Sequence, residues 1–540
     1  MIPRHSPSLS RRTVLGAATA TVLGMAGCRS GDGGNGSPTG SQPAQRPSHI
    51  PYDGPQPELP GNASGLPHGF LRYPDPPPST GRVPLELSAP VEMLCQGRTS
   101  STPMDRNRWW QQWNQDLGAE FRVQPVASQY MDRFQTAVAG DALSDLTQIY
   151  SSSPRLPELL ESRFTDLSPF LSGDRVADYS NLANLPPDSW DVGTIGGRIY
   201  GFTQPRIIVG STILTHGEVL ESLGIDQMPE LSDGDDFLAL CREVTDPASD
   251  RYAFGQIPQD WTIPAILEAL GGPNEWRVNG DGTWTSMYET DEYAQALDIV
   301  TRMYREQLFH PNSYSTGGSA DVVSGWFEAG TTVMWAQGFN VWQNRIGTAD
   351  VPIGAVVMPR WEGGGAAPKH FGPPGYEDPV GIKKMDDEQR IDELLRVVDY
   401  IASPFGSREY LNVNEGVADR HYRIEDGQIV PIPDAPSERL FGPTYAAGNG
   451  VVNLYVPGSP ESTKVLYEHC QKVIPDGVRN PRHGRFSETA VTQSAGANRK
   501  LQDVQARIIQ GRDDISSWQS AVAEWKRAAG DAMAREYAEQ

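Results

Sequence analysis

The sequence predicts an α/β protein whose N-terminal part is built on an open parallel sheet with helices on both faces. Three observations carry this reading. Between residues 85 and 150 strand-like and helix-like segments alternate, the pattern of repeated βαβ units. The stretch from 82 to 540 is long enough for two or more packed domains. The last third of the chain has mostly helical periodicity, with Trp518, Val522 and Trp525 on one face.

Residues 85–95 alternate and then run apolar, which reads as a strand, and Gln96-Gly97-Arg98 turns the chain after it. Residues 107–117 place Trp109, Trp110 and Trp113 at helical spacing, so these rings are expected in the core. A second strand is expected over 121–126, a helix over 130–139 and a third strand over 146–150. Ligands of such sheets bind beyond the carboxyl ends of the strands, which directs attention to 96–102 and 150–155. A Gly-Gly turn at Gly196-Gly197 then feeds an extended segment, continued as a strand over 207–209. Helices are expected over 217–223, 235–244, 263–270 and 291–308, and strands over 331–335 and 351–358. The final helices are read at 388–401, 501–509 and 516–538.

The amino terminus carries a different signal. Ser10-Arg11-Arg12-Thr13-Val14-Leu15-Gly16 sets a twin arginine before a short apolar run, too short to span a bilayer. Such a segment addresses a chain for export. Met25-Ala26-Gly27-Cys28 resembles a bacterial lipobox, which implies that residues 1–27 are removed and Cys28 is lipidated, with palmitate among its acyl chains. Residues 28–81 are rich in Gly, Pro and Ser and cannot bury a core, so they read as a flexible tether. Gly31, Gly33 and Gly36 satisfy a dinucleotide-binding spacing, but with no strand before and no helix after them the match is one of composition. The expected location is the outer face of the cell membrane, held by lipid alone, because no later apolar stretch is long enough to cross a bilayer.

The formal net charge of −23 argues against nucleic acid, whose phosphates need basic surfaces, and against broad docking on anionic lipid. Cys95, Cys241 and Cys470 lie far apart without zinc-ligand spacing, so no metal is expected on them; one disulfide among the three stays open. Serine-hydrolase, zincin and phosphate-loop motifs are absent, so no catalytic residue and no cofactor is assigned.

Several segments together resemble family 1 extracellular solute-binding proteins of ABC importers, in particular the large oligosaccharide-binding lipoproteins related to the maltose-binding type. Gly140-Asp141 to Asp145-Leu146 is similar to their GDxPD strand entry, and Gly197-Arg198-Ile199-Tyr200-Gly201-Phe202 to GKxYGxP. Leu220-Glu221-Ser222-Leu223-Gly224-Ile225, with Pro229 and Asp235-Asp236-Phe237, resembles LxxLGLxxPxTWDEF. Phe327-Glu328-Ala329-Gly330-Thr331-Thr332-Val333-Met334 is similar to FxxGKxAM. Asn414-Glu415-Gly416-Val417, Glu425-Asp426-Gly427 and the tail from Trp518 to Tyr537 also match in order and spacing. The resemblance implies an α/β, two-lobed type II periplasmic-binding-protein fold with a ligand cleft between the lobes and a helical C-terminal part. It divides the body into an N-terminal lobe of 82–203 and 345–404 and a C-terminal lobe of 204–344 and 405–540. It further implies a monomer that captures an oligosaccharide and delivers it to permease subunits served by a separate ATPase. Some large members carry a calcium loop where this chain has Asp246-Pro247-Ala248-Ser249-Asp250-Arg251, which lacks most of the oxygen ligands calcium needs.

A sugar offers hydroxyl edges and flat C–H faces, so its site needs aromatic rings beside amides, carboxylates or arginines. On that chemistry and the resemblance, the expected ligand-binding residues are Gln96, Arg98, Tyr150, Ser151, Ser152, Gln204, Asp260, Trp261, Trp335, Gln337 and Asn340. Trp335 is expected to stack on a ring, with Gln337 or Asn340 bonding a hydroxyl. Trp326 and Phe327 read as core, and Arg98, Arg155 and Arg206 serve either solvation, lobe bridging or ligand. Two rival functions stay open: an anchored glycan-degrading enzyme with paired cleft carboxylates, and a surface sensor or adhesin using the same cleft.

Overall fold

Val91–Gln96 (β1) is a fully buried strand apart from Glu92 and Gln96, and pairs in parallel with Phe121–Val126 (β2) and Leu146–Gln148 (β3). In this computed structural model, which describes residues 43–81, 83–347, 349–433, 437–439, 442–450 and 452–540, residues 85–90 stay outside the sheet. Glu86 has φ 56°, incompatible with a strand, and Pro90 offers no N–H to a ladder. The helix Arg108–Leu117 joins β1 to β2, capped by Asn107, whose side chain accepts from the Trp110 N–H, and ended by Gly118 at φ 65°. Its Trp110 and Trp113 stack on Phe121 with centroids 5.5 and 5.8 Å away, which fixes the helix on the sheet. Tyr130–Ala139 packs through Tyr130, Phe134 and Ala137 on the other side.

Two extended segments then run antiparallel between the lobes. Phe202 bridges Val380, Pro205 bridges Gly375 and Val209 bridges Phe371. At their end Gly210 and Gly372 approach so closely that a Cβ on Gly210 would sit 3.0 Å from the Gly372 nitrogen, so neither position has room for a side chain. Residues 207–209, expected as a strand, belong to this crossing. The second sheet begins after it, with Ser211–His216 (β4), Tyr252–Phe254 (β5), Thr332–Gly338 (β6) and Ile353–Val356 (β7). Its order is β7-β4-β6-β5, with β6 antiparallel to β4 and parallel to β5. Val380–Ile382 (β8) closes the first sheet as β8-β3-β1-β2, antiparallel to β3.

The pairing of β7 with β4 moves the lobe boundaries away from the sequence expectation. The chain is still in the second lobe at residue 356 and rejoins the first sheet only at Val380. It also stays with the first lobe beyond 404, since Val413, Ala446 and Ala447 share a buried cluster with Trp113 and Val398. Pro460–Val473 returns to the second lobe, where Leu466 and Cys470 pack with Leu214 and Trp342. Turn residues mark where a chain can cross, but only strand pairing decides which sheet receives it.

The tether expected over residues 28–81 is corrected from residue 43 onward. The Ala44 N–H donates to the Gly197 carbonyl (2.7 Å), that of Ile50 to Ala183 (2.8 Å) and that of Phe70 to Leu454 (2.9 Å). Leu66 is buried in the second lobe's cluster with Leu214 and Trp342, while Phe70 and Tyr73 are buried with Phe405 and Tyr410. A Pro-rich strap loses little freedom on docking, and a few apolar side chains hold it on a surface already formed, so it needs no core of its own. Residues 1–42, with the expected signal and Cys28, lie outside the described residues. Cys95, Cys241 and Cys470 are buried and unpaired, each in a different cluster. Among the described residues no helix is long and apolar enough to cross a membrane.

Candidate functional site

The carboxyl ends of β1 and β3 open onto a hydrogen-bonded platform built by the returning crossing segment. Gln96 donates through Nε2 to Asp378 Oδ2 (3.0 Å) and accepts at Oε1 from the Tyr376 hydroxyl (3.1 Å). The Ser151 N–H donates to Asp378 Oδ1 (2.9 Å), and the Ser151 hydroxyl donates to the Glu377 carbonyl (2.6 Å). Burial pushes the Asp378 carboxyl above its usual range, against the bonds from Ser151 and Gln96. The Arg206 guanidinium lies 4.8 Å from the centre of the Tyr376 ring, and Tyr376 stacks on Tyr445 at 4.4 Å with 26° between the planes. Arg206, Tyr376 and Tyr445 thus form one stack at the point where the lobes join.

The opposite wall comes from the second lobe. Burial alone would raise the Glu275 carboxyl, but Arg482, bound at 2.5 Å, holds it below the usual range. Arg482 also reaches Glu377 at 3.6 Å, so one arginine ties the second lobe to the crossing segment. Behind this pair lies an aromatic cluster in which Trp276 meets Tyr537 at 5.6 Å and Tyr288 meets Trp525 at 5.2 Å. Burial, then the Arg482 charge, push His483 down to about 4, so the cleft histidine is neutral at pH 7.

These groups enclose a cleft of about 820 Å³ lined from both lobes and from the crossing segments. The loop before the helix Glu488–Thr492 closes one side of it. Its Phe486 packs against the first lobe's buried cluster, which includes Leu156 and Tyr130. Arg479 pairs with Asp188 at 2.6 Å, and Glu488 accepts from the Arg155 N–H at 2.9 Å. Asp188 also receives Arg46 of the strap at 3.3 Å. A second hollow of about 600 Å³ lies on the first lobe at the ends of β1 and β2, and Tyr150 borders both spaces.

The expected site residues divide between these places. Tyr150, Ser151 and Ser152 line the main cleft, while Gln96 and Arg98 line the second hollow. Gln204 sits in the crossing, where its carbonyl accepts from the Tyr376 N–H (2.9 Å), and lines neither space. Asp260 and Trp261 fall in the first turn of the helix Pro258–Ala269, which begins five residues before its expected start. Trp261 is 39 % exposed and borders a separate small cavity with Glu268, Lys369 and His469.

Trp335 is 5 % exposed and packs with Phe327 and Trp342, with the Arg345 guanidinium 5.7 Å from its ring centre. The strand β6 runs on to Gly338 with both faces covered, Met334 and Ala336 in one cluster and Trp335 in the other, so no loop turns the indole outward. Gln337 Oε1 accepts from the adjacent Gly338 N–H (2.8 Å), and Asn340 is exposed on the helix Phe339–Arg345. None of these three lines either hollow.

Tyr376, Asp378, Glu275, Arg482 and Tyr445 are not among the residues expected from the sequence. Pro373-Pro374-Gly375-Tyr376-Glu377-Asp378 carried a signal, an aromatic and two acids after a Pro-Pro-Gly run, as did the basic and aromatic run Arg482-His483-Gly484-Arg485-Phe486. Among the described residues no group of three or more His, Cys, Asp or Glu stands ready to hold a metal ion. Asp246 is turned onto its own loop, accepting from the Ala248 N–H (3.2 Å) and the Ser249 hydroxyl (2.5 Å).

No family model matches the chain. Lipoprotein LipO of Bacillus subtilis (strain 168) is 22% identical over 479 residues, covering 83% of this chain and 91% of LipO. Among solved structures, the N-glycan transport solute binding protein NgtS of Streptococcus pneumoniae superposes with a TM-score of 0.60 at 12% identity, over 84% of this chain and 98% of its own. The alginate-binding protein AlgQ2, solved without calcium ion, gives 0.58 at 12% over 84% and 98%. The S. pneumoniae substrate binding protein FusA, in complex with kestose, gives 0.57 at 12% over 83% and 98%. The chain therefore shares the two-lobed α/β fold of NgtS, AlgQ2 and FusA, with its main cleft where the crossing segments meet the two lobes.

Proposed function

We propose that this protein is the substrate-binding component of an ABC importer, and that it captures a carbohydrate in the cleft between its lobes. The observation that carries the reading is the cleft itself, about 820 Å³ bounded by both lobes, with the Tyr376 ring and the Trp276 cluster beside Asn498, Asp378 and Arg206. Rings offer flat apolar faces to a sugar, and amide, carboxylate and guanidinium groups match its hydroxyls. Carbohydrate binding by proteins of the same fold, such as FusA with kestose, supports the assignment. Ligand that touches both lobes favours the closed form by binding it better.

Membrane attachment is through lipid on Cys28, supported by the export signal, the lipobox and the similarity to lipoprotein LipO of Bacillus subtilis. Delivery is to a separate permease with its own ATPase, and the protein performs no chemistry on its ligand. Titration calorimetry of the full chain against a panel of oligosaccharides, followed by chromatography of the sugar after long incubation, tests this. Saturable binding with the sugar unchanged is expected. No binding by any sugar, or steady release of reducing ends, would overturn the assignment.

A further inference from the structure

The strap over residues 43–81 touches both lobes and the hinge between them, and its path alternates. Its first leg lies on the first lobe. There the N–H groups of Ala44, Ser48 and Ile50 donate to the carbonyls of Gly197, Gly173 and Ala183 (2.7, 3.0 and 2.8 Å), and that of Tyr52 to Asn184 Oδ1 (2.8 Å). Residues 59–69 then leave for the second lobe. The last leg returns, with Phe70 and Tyr73 buried beside Phe405 and Tyr410 and the Tyr73 N–H donating to the Gly427 carbonyl (2.7 Å).

The excursion over 59–69 is a closed loop. Leu59 and Gly69 exchange backbone hydrogen bonds at its neck (3.1 and 2.8 Å), the close-ended form of an Ω-type loop. Inside it, Asn62 Oδ1 accepts from the Ser64 N–H (2.9 Å), the Asn62 N–H donates to the Leu66 carbonyl (3.1 Å), and His68 Nδ1 accepts from the Gly61 N–H (2.9 Å). These bonds shape the loop from within, and its apolar residue Leu66 enters the cluster of Val209, Leu214 and Trp342, where Ile207 and Ile208 of the crossing segment also pack. At Gly65, with φ 96°, a Cβ would sit 2.3 Å from Ile208 Cδ1, so the loop lies directly against the crossing. The second lobe grips its other side. The Tyr467 hydroxyl donates to the Pro60 carbonyl (2.7 Å) and the Leu454 N–H to the His68 carbonyl (2.8 Å).

Relative motion of two lobes is absorbed in the few residues that join them. A link docked on both sides of such a hinge keeps all its contacts in one orientation of the lobes and loses some in any other. It therefore stabilises the orientation in which it fits. Here that is the closed one, in which Arg479 meets Asp188 (2.6 Å) and Glu488 accepts from the Arg155 N–H (2.9 Å) across the cleft. We propose that the loop 59–69 is a brace on the hinge: it holds the crossing segment and the second lobe while the strap's two legs hold the first, and so biases the protein toward closure. Its effect on ligand affinity rests on the interlobe binding proposed above; its effect on the lobes does not.

Hydrogen exchange of the full chain reads the lobes separately from the strap. The segments 150–156 and 484–492 face each other across the cleft, and their amides are shielded together only while the lobes meet. In Leu66→Ser, exchange over both segments should quicken at least threefold. Tyr467→Phe removes one hydroxyl without opening a cavity and should act in the same direction, which keeps the test decisive if Leu66→Ser fails to fold. Ile50→Ser alters a side chain 44 % exposed on the first leg and should leave both segments at the wild-type rate. Calorimetry with malto-, cello-, chito- and manno-oligosaccharides completes the comparison, and for the series that binds, Leu66→Ser should lower affinity at least threefold. Unchanged exchange at both segments in Leu66→Ser and Tyr467→Phe overturns the brace, whatever the sugars do. Quickened exchange with unaltered affinity overturns its role in binding. Quickened exchange with no sugar bound by any form supports the brace and overturns the carbohydrate reading instead.

Discussion

Replacing Trp335 with Ala separates a core role from a ligand role at one position. The indole is 5 % exposed and sits among Phe327, Trp342, Leu214 and Phe339 on one face of the second sheet. A buried Trp removes about 150–250 Å² from water, which at about 25 cal/mol per Å² is roughly 4–6 kcal/mol. Ala recovers a small part of this and the cavity adds to the loss, so a cost of about 3–5 kcal/mol is expected. The Arg345 guanidinium over the ring contributes at most about 1 kcal/mol of it, because that arginine is partly solvated. Urea unfolding of the wild type and the variant reads the loss directly, and calorimetry with the preferred sugar reads the affinity. The structure predicts a large fall in stability with affinity changed less than threefold at a temperature where the variant is folded. Unchanged stability with affinity lowered tenfold or more would show that the indole faces ligand and that its placement here is wrong.

Further outcomes follow from magnitudes of the same kind. Phe486→Ala removes the side chain by which the second lobe packs on the first, so small-angle scattering should show a more open free protein and sugar affinity should fall by roughly 1–2 kcal/mol. Arg479→Ala breaks an exposed pair worth about 0–1 kcal/mol, so its effect on both readouts should be small; the reverse ranking would make the closure electrostatic. Lys369→Met leaves Glu268, whose side chain is 4 % exposed, charged and unpaired, and should cost about 3–5 kcal/mol in denaturant unfolding. Adding Glu268→Gln should restore most of that, since the amide oxygen still accepts from the His370 N–H; no rescue would refute the pairing account. Burial, helped by the Lys369 and Lys472 charges, pushes His469 down to about 3, so between pH 6.5 and 3 the unfolded chain binds a proton that the folded one does not. Stability is therefore lost as pH falls through that window, and His469→Gln should flatten the acid limb by up to about 1.4 kcal/mol per pH unit. An identical slope in the variant would contradict it.

The parts legible in the sequence were those with local causes. The Asn107 cap, the Trp spacing and Gly118 specify the first helix within a residue, and β2 and the helix Tyr130–Ala139 are likewise set by local pattern. Ser151 and Ser152 could be placed beside the cleft because the end of β3 is a local feature and sheets of this kind bind ligand there. The second lobe's share was hidden for a different reason. Glu275 and Arg482 are 207 positions apart, and nothing in either neighbourhood announces the pair. Trp335 misled because an aromatic beside Gly338 looks the same whether a strand ends there or runs on between two buried layers. The strap misled because its Gly, Pro and Ser content describes what it cannot build alone, while Leu66, Phe70 and Tyr73 act on surfaces folded elsewhere in the chain.

The central claim is that carbohydrate binds in the interlobe cleft, and Tyr376 is where that claim is most exposed. Its ring lies under Arg206, stacks on Tyr445 and borders the main cleft, and its hydroxyl bonds Gln96. Titration calorimetry of the full wild-type chain and Tyr376→Ala with the best oligosaccharide, at equal folded fraction, tests it in one comparison. The account predicts a loss of at least 2 kcal/mol, roughly thirtyfold in Kd, in the range of a central aromatic contact. The same sugar bound with undiminished affinity by Tyr376→Ala would place the ligand elsewhere and contradict the account.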